Sequence, residues 1–192
     1  VPRQARAERT VAALLDAAAA VIADVGYDAA TLTAVAARAG GSIGSLYQYF
    51  PDKPAVARAL AERYGADLAD QWAPLVGEAA TLSTDRLVDR MFDVVLRFNA
   101  DRPAFLSLMT AAADYRHAKV DRGRLRSHVT ALLRAHQPKL TPVEAARVAE
   151  VTVQVFKGMN RVLGQVSGAE RTALTREFKL VVLSYLKARM EG

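Results

Sequence analysis

Cysteine is absent from the 192-residue chain, so a disulfide framework, a thiolate metal site and a cysteine nucleophile are all excluded. Glycine (11) and proline (7) are too few for a collagen-like or low-complexity chain. With 52% hydrophobic residues the sequence can fill a core, which excludes disorder. No uninterrupted apolar run approaches the roughly 18 to 20 residues of a membrane-spanning helix. The longest, Val11 to Val25, is broken by Asp16 and Asp24, and no signal-peptide pattern opens the chain. The expectation is a soluble, cytoplasmic protein with no membrane partner. Histidine is also scarce: His117, His128 and His136 include no i, i+4 ligand pair, so no metal site and no cofactor is expected.

The net charge of +6 suggests nucleic acid only if it is placed well. From residue 1 to 53, Arg3, Arg6, Arg9, Arg38 and Lys53 are balanced by Glu8, Asp16, Asp24, Asp28 and Asp52, so the whole excess lies downstream. Much of it falls in Arg116, Lys119, Arg122, Arg124, Arg126 and Arg134, around His117 and His128, where a solvated loop and helix face is the plainer explanation. The three arginines near the N-terminus are more suggestive, because a basic arm can reach phosphate beside a docked helix.

Apolar residues recur with helical periodicity nearly everywhere, and strand alternation is almost absent. Val11, Leu14, Leu15, Ala18, Ile22 and Val25 make one face, closed by Gly26 at a C-cap. Thr31 caps a short second helix to Ala39, and Ser42 caps a third holding Ile43 to Phe50. Asp52 and Pro54 start a fourth, running to about Trp72 and ended near Pro74 and Gly77. Leu87 to Phe98 predicts a wide-faced central helix, Asp101-Arg-Pro103 starts another, and one more spans about Val120 to His136. Thr141-Pro-Val-Glu144 and Ser167-Gly-Ala-Glu170 read as capping boxes for helices over Pro142–Val166 and Ala169–Met190. The fold class is all-α, with about nine helices.

Gly40-Gly41-Ser42-Ile43-Gly44 matches the G-x-S-x-G of a hydrolase nucleophile elbow. That elbow has to follow a strand above a parallel sheet, whereas the residues before it are alanine-rich and helical. No phosphate-cradling glycine loop is present either, so an enzyme is not expected.

Ala36, Gly40 and Leu46 stand at the A-x3-G-x5-L spacing of a helix-turn-helix. Ala36 has to be small where the second helix crosses, Gly40 supplies positive φ, and Leu46 anchors the next helix with its far face free. The spacing alone fits two short helices packed for stability equally well. The surrounding residues add to it: Gly-Tyr-Asp-Ala-Ala-Thr-Leu-Thr at 26–33, Ala-Ala-Arg-Ala-Gly at 36–40, and Ser-Ile-Gly-Ser-Leu-Tyr-Gln-Tyr-Phe-Pro-Asp-Lys at 42–53. Together these resemble the DNA-binding domain of the tetracycline-repressor (TetR) family over about Arg9 to Lys53.

The resemblance implies a three-helix helix-turn-helix domain at 1–53 and a larger helical ligand and dimerisation domain at 54–192. Its function would be repression from a palindromic double-stranded operator, relieved by a mostly apolar small-molecule effector. Thr31 and Thr33 then resemble residues that touch phosphate or a base edge, and Ile43, Gly44 and Ser45 the exposed start of the recognition helix. Tyr47 and Tyr49 resemble phosphate and thymine-methyl contacts, Gln48 a possible adenine reader, and Lys53 the family's phosphate-gripping lysine. Two departures stand out: Gly41 where an apolar residue is usual, and no Arg or Lys in the recognition helix to grip guanine. A homodimer through the last two helices would supply affinity. Trp72, Phe92, Phe98, Phe105, Met109, Tyr115, Phe156 and Met159, with Asn160 as a polar anchor, are candidates to line the effector pocket, though each also suits ordinary core packing. A helical small-molecule or lipid-binding protein with no role on DNA is the rival reading.

Overall fold

The computed structural model describes residues 2–111 and 122–190, with side chains for 4–108 and 125–190. Among the described residues there is no strand, and nine α-helices follow one another: α1 Pro2–Ala29, α2 Leu32–Arg38, α3 Ile43–Tyr47, α4 Lys53–Glu78, α5 Thr84–Asp101, α6 Pro103–Ala111, α7 Arg122–His136, α8 Pro142–Leu163 and α9 Gly168–Met190. One 3-10 turn, Ala79–Thr81, lies between α4 and α5. The helices form two compact units. One holds α1, α2, α3, α6 and α4 up to Tyr64; the other holds α4 from Gly65 onward with α5, α7, α8 and α9.

In the first unit, α1 turns Leu14, Leu15, Ala18 and Ile22 inward, as their spacing predicts. Val25, expected on the same face, is 54% exposed. Gly26 departs from helical geometry at φ 78°, and the kink brings Tyr27 into the buried position instead. The helix also begins at Pro2 rather than near Val11, since proline is well suited to a first helical position. The expected basic arm is thus helical, with Arg6 and Arg9 exposed one turn apart. By length and mean hydropathy (1.6 over an 18-residue window) α1 could cross a membrane, contrary to the expectation from its interrupting aspartates. Its buried face instead serves the core of this unit, while Asp16 and Asp24 on the other side pair with Arg63 and Arg38, each at 2.7 Å.

α4 runs past its expected end. Pro74 lies inside it, and burial of Trp72 and Leu75 on either side offsets the lost hydrogen bond. In the second unit α5 buries Leu87, Val88, Met91, Phe92, Val95 and Phe98, as its wide apolar face requires. α8 carries the predicted capping box: Thr141 Oγ1 accepts from the Glu144 N–H at 3.3 Å, and Glu144 Oε2 accepts from the Thr141 N–H at 3.0 Å. The Thr141 hydroxyl and then its backbone N–H hold the Glu144 carboxyl below its ordinary pKa. His136 closes α7 onto the 3-10 turn, with Nδ1 2.9 Å from the Ala79 carbonyl and Nε2 3.3 Å from Thr84 Oγ1.

Candidate nucleic-acid interface

The three positions that specify the turn between α2 and α3 behave as their chemistry requires. Ala36 and Leu46 are buried, at 2% and 0% exposure, and Gly40 adopts φ 70°. The Gly40 and Gly41 N–H groups donate to the Ala37 and Ala36 carbonyls at 3.0 and 2.9 Å, closing the end of α2. Each helix has a hydroxyl cap: Thr31 Oγ1 accepts from the Ala34 N–H at 3.1 Å, and Ser42 Oγ from the Ser45 N–H at 3.2 Å. Ser42 is therefore a cap on a helix-to-helix turn, not a nucleophile above a sheet. The third helix is shorter than expected, ending at Tyr47 instead of Phe50. The Tyr49 and Phe50 N–H groups both turn back to the Leu46 carbonyl at 2.9 Å.

This geometry separates an inner face from an outer one. Leu46 and Phe50 point into the core, while Gly44, Ser45, Tyr47 and Gln48 are exposed, Tyr47 by 53%. Thr31 and Thr33 at the start of α2 are exposed too, and Ile43 and Tyr49 are half-buried. The start of α2 and the outer face of α3 thus carry hydroxyls, an amide and an aromatic ring, and no charged side chain. Such a face can donate and accept at phosphates and base edges, and can pack against a thymine methyl.

Lys53, a phosphate contact by resemblance, has its ammonium among backbone carbonyls in this structure. Its ammonium donates to the carbonyls of Tyr27 at 3.0 Å, Asp28 at 2.9 Å and Ala30 at 3.1 Å, and lies 4.6 Å from the centre of the Tyr27 ring. Its three N–H bonds tie the start of α4 to the end of α1, where the last carbonyls of a helix need partners from outside it. The same corner receives α6, since Ser107 Oγ accepts from the Tyr27 N–H at 3.0 Å. Sequence reasoning did not reach Tyr27 or Ser107, which lie 80 residues apart and come together only in the fold.

The proposed effector residues divide between the two units. In the second unit, Trp72 and Phe92 both meet the Phe156 ring, with centroids at 6.3 and 5.0 Å. Phe98 and Met159 are fully buried in the same unit. Asn160 is buried and its Oδ1 accepts from Asn99 Nδ2 at 2.8 Å. Asn99 was missed by sequence reasoning, although it is the one amide on the apolar face of α5, seven residues from Phe92. Phe105 belongs to the first unit and packs edge-on against Tyr64 at 6.0 Å. The Met109 side chain and Tyr115 lie outside the described residues, as do Arg116, His117 and Lys119 and the side chains of Arg122 and Arg124. Arg126 and Arg134 are exposed, Arg126 3.6 Å from Glu150.

Comparison with known proteins gives two family matches. Residues 14–60 match the tetR family of bacterial regulatory proteins, and residues 83–186 match the tetracyclin repressor-like C-terminal domain. A TetR-family transcriptional regulator from Streptomyces coelicolor is similar over 94% of this chain and 99% of its own, at 29% identity and a TM-score of 0.71. The regulator LfrR from Mycobacterium smegmatis, solved in complex with proflavine, shares the fold at 18% identity and a TM-score of 0.62, over 96% of this chain and 97% of its own. The A-factor receptor protein of Streptomyces griseus is 41% identical over 58 residues, which are 30% of this chain and 21% of that relative.

Proposed function

Because this chain belongs to the tetracycline-repressor family of DNA-binding transcriptional regulators, we propose that it is a dimeric repressor that reads a palindromic operator and is released by a small, mostly apolar effector. The observation that carries the reading is the division of labour around α3. Leu46, fully buried, anchors the helix, while Tyr47 and Gln48 one and two positions on stand in solvent. A helix packed only for stability has no need to hold an aromatic ring outward next to its anchor. Residues 1–53 supply the reading surface: Thr31, Thr33, Tyr47 and Tyr49 for phosphates and methyls, Ile43, Gly44, Ser45 and Gln48 for base edges. Lys53 contributes by holding α1 and α4 together beneath that surface.

Residues 54–192 supply effector binding and dimerisation. Val143 and Val151 of α8 and Leu180 and Val181 of α9 are exposed by 41% or more. That apolar surface fits the same pair of helices from a second copy, in a four-helix bundle. α4 has residues in both units, so an effector that displaces its second half changes the spacing of the two recognition helices in the dimer. The spacing of successive major-groove faces, roughly 34–36 Å or a multiple, is then lost. A coupling of about 1–3 kcal/mol gives a 5- to 150-fold change in operator affinity.

The test is fluorescence anisotropy with duplexes selected from a random pool, against unselected DNA, at two salt concentrations. The wild type is expected to prefer a selected palindrome and to weaken with salt, and Tyr47→Ala to lose that preference. Equal, weak binding to every duplex by both proteins would leave α2 and α3 as scaffold and favour a helical binding protein with no role on DNA.

A further inference from the structure

Among the described residues, two buried side-chain polar atoms have no hydrogen-bond partner, Trp72 Nε1 and Asn99 Oδ1. Trp72 is 0% exposed and Asn99 3%. An indole N–H can only donate and an amide oxygen can only accept, so the two are complementary in kind. Folded proteins leave few such groups unsatisfied, and each calls for an explanation.

Both atoms belong to one cluster. Trp72 packs on Phe156, which lies one turn before Asn160 on α8, and Asn160 holds the Asn99 amide at 2.8 Å. Trp72 and the asparagine pair thus meet the same stretch of α8, where Phe156 and Asn160 stand one helical turn apart. The packing beside them is aromatic, Phe156 against both Trp72 and Phe92. Among the described residues the buried polar ones are Thr84, Asn99, Thr152 and Asn160, none of them ionisable. Thr152 donates to the Val148 carbonyl at 2.8 Å and Thr84 meets His136, which leaves the tryptophan and the asparagine pair to recognise polarity. A charged ligand would find no buried counter-charge among the described residues.

We propose that the effector is an uncharged, largely apolar molecule bearing both a carbonyl-type acceptor and a hydroxyl- or amide-type donor, the first bound by Trp72 Nε1–H and the second by Asn99 Oδ1. The inference rests on the effector-released reading above and specifies the chemistry of the same site. Trp72 stands on α4, so the ligand's acceptor acts directly on the helix that begins at the Lys53 clasp.

Trp72 is the single tryptophan of the chain, and its emission reports the site without a label. The full chain is titrated with hydroxyoctanone, octanone, octanol and octanoate. Hydroxyoctanone is expected to give a saturable change, with octanone and octanol each about tenfold weaker, the loss of one hydrogen bond apiece, and octanoate weaker than both. Asn99→Leu is expected to bind octanone like the wild type and to lose the preference for hydroxyoctanone over it. Trp72→Phe, followed by thermal shift, is expected to lose the preference for hydroxyoctanone over octanol. Equal affinity for all four probes, tighter binding of octanoate, or no saturable response to any probe would overturn the proposal. Duplex binding measured on the same preparation separates the two readings. Loss of ligand discrimination with operator binding intact removes only this inference, whereas failure on every duplex removes the regulator.

Discussion

The ammonium of Lys53 lies within 3.1 Å of three carbonyl oxygens, and its three N–H bonds match them one for one. Those carbonyls lie at and just past the end of α1, beyond the Gly26 kink, where the Tyr27 carbonyl also accepts from the Ala30 N–H at 3.2 Å. A charge-assisted bond of this kind stabilises by about 1.5–3 kcal/mol, more than a neutral one, and removing the donor loses all three at once. Lys53→Met is therefore expected to lower the stability of the first unit by about 1–3 kcal/mol, read as an earlier denaturant midpoint. If the ammonium stays in this clasp on DNA, the slope of log affinity against log salt stays as in the wild type. A lysine spent on a phosphate would instead lower that slope by about one per protomer and leave the midpoint alone. Tyr47 has the opposite profile, since an exposed ring can be removed without disturbing the core.

α4 is the element on which the regulatory argument turns. It begins at Lys53 and ends at Glu78, and the division between the two compact units falls at Gly65. A Cβ placed on Gly65 would meet nothing within 4 Å, so packing does not require glycine there. Glycine inside a helix is destabilising by roughly 0.5–1 kcal/mol relative to alanine. Gly65→Ala is expected to stabilise the protein by that amount in thermal or denaturant unfolding. If α4 yields at Gly65 during induction, the same variant binds operator normally and needs more effector for release, which anisotropy with added ligand measures. A variant that is stabilised but released at the wild-type concentration would place the yielding point elsewhere along α4, for example at Pro74.

At the scale of the whole molecule, the apolar surface of α8 and α9 is larger than the core of one chain consumes. α9 turns Val182, Leu186 and Met190 inward and leaves Leu180 and Val181 outside, so it is apolar on two faces. A second copy covers that outer face in the proposed dimer. Replacing Val151 and Leu180 together by Asp is expected to give monomers in sedimentation velocity with helical content retained. Palindrome affinity should fall by about 10²–10⁴, because linked half-site binding is lost. A double variant that stays dimeric would move the interface to other helices.

The helices, their caps and the helix-turn-helix were legible in the chain because each rests on neighbours within a few residues. Thr31, Ser42 and Thr141 need only the N–H three positions on, Gly40 only its own φ, and the face of α5 only its period. Helix ends were less legible where a distant group intervenes: α4 passes through Pro74 because Trp72 and Leu75 are buried, and α1 passes Gly26 because Tyr27 finds a place inside. Roles that depend on two remote segments could not be read at all. Local pattern shows that Lys53 is a cation at a helix start, but the carbonyls it holds lie 23 to 26 residues earlier. Asn160 is visible as a polar residue on an apolar stripe, yet its partner Asn99 is 61 residues away on another helix. Local backbone chemistry is written in adjacent residues, whereas the satisfaction of a buried polar group depends on what packing brings across from elsewhere in the chain.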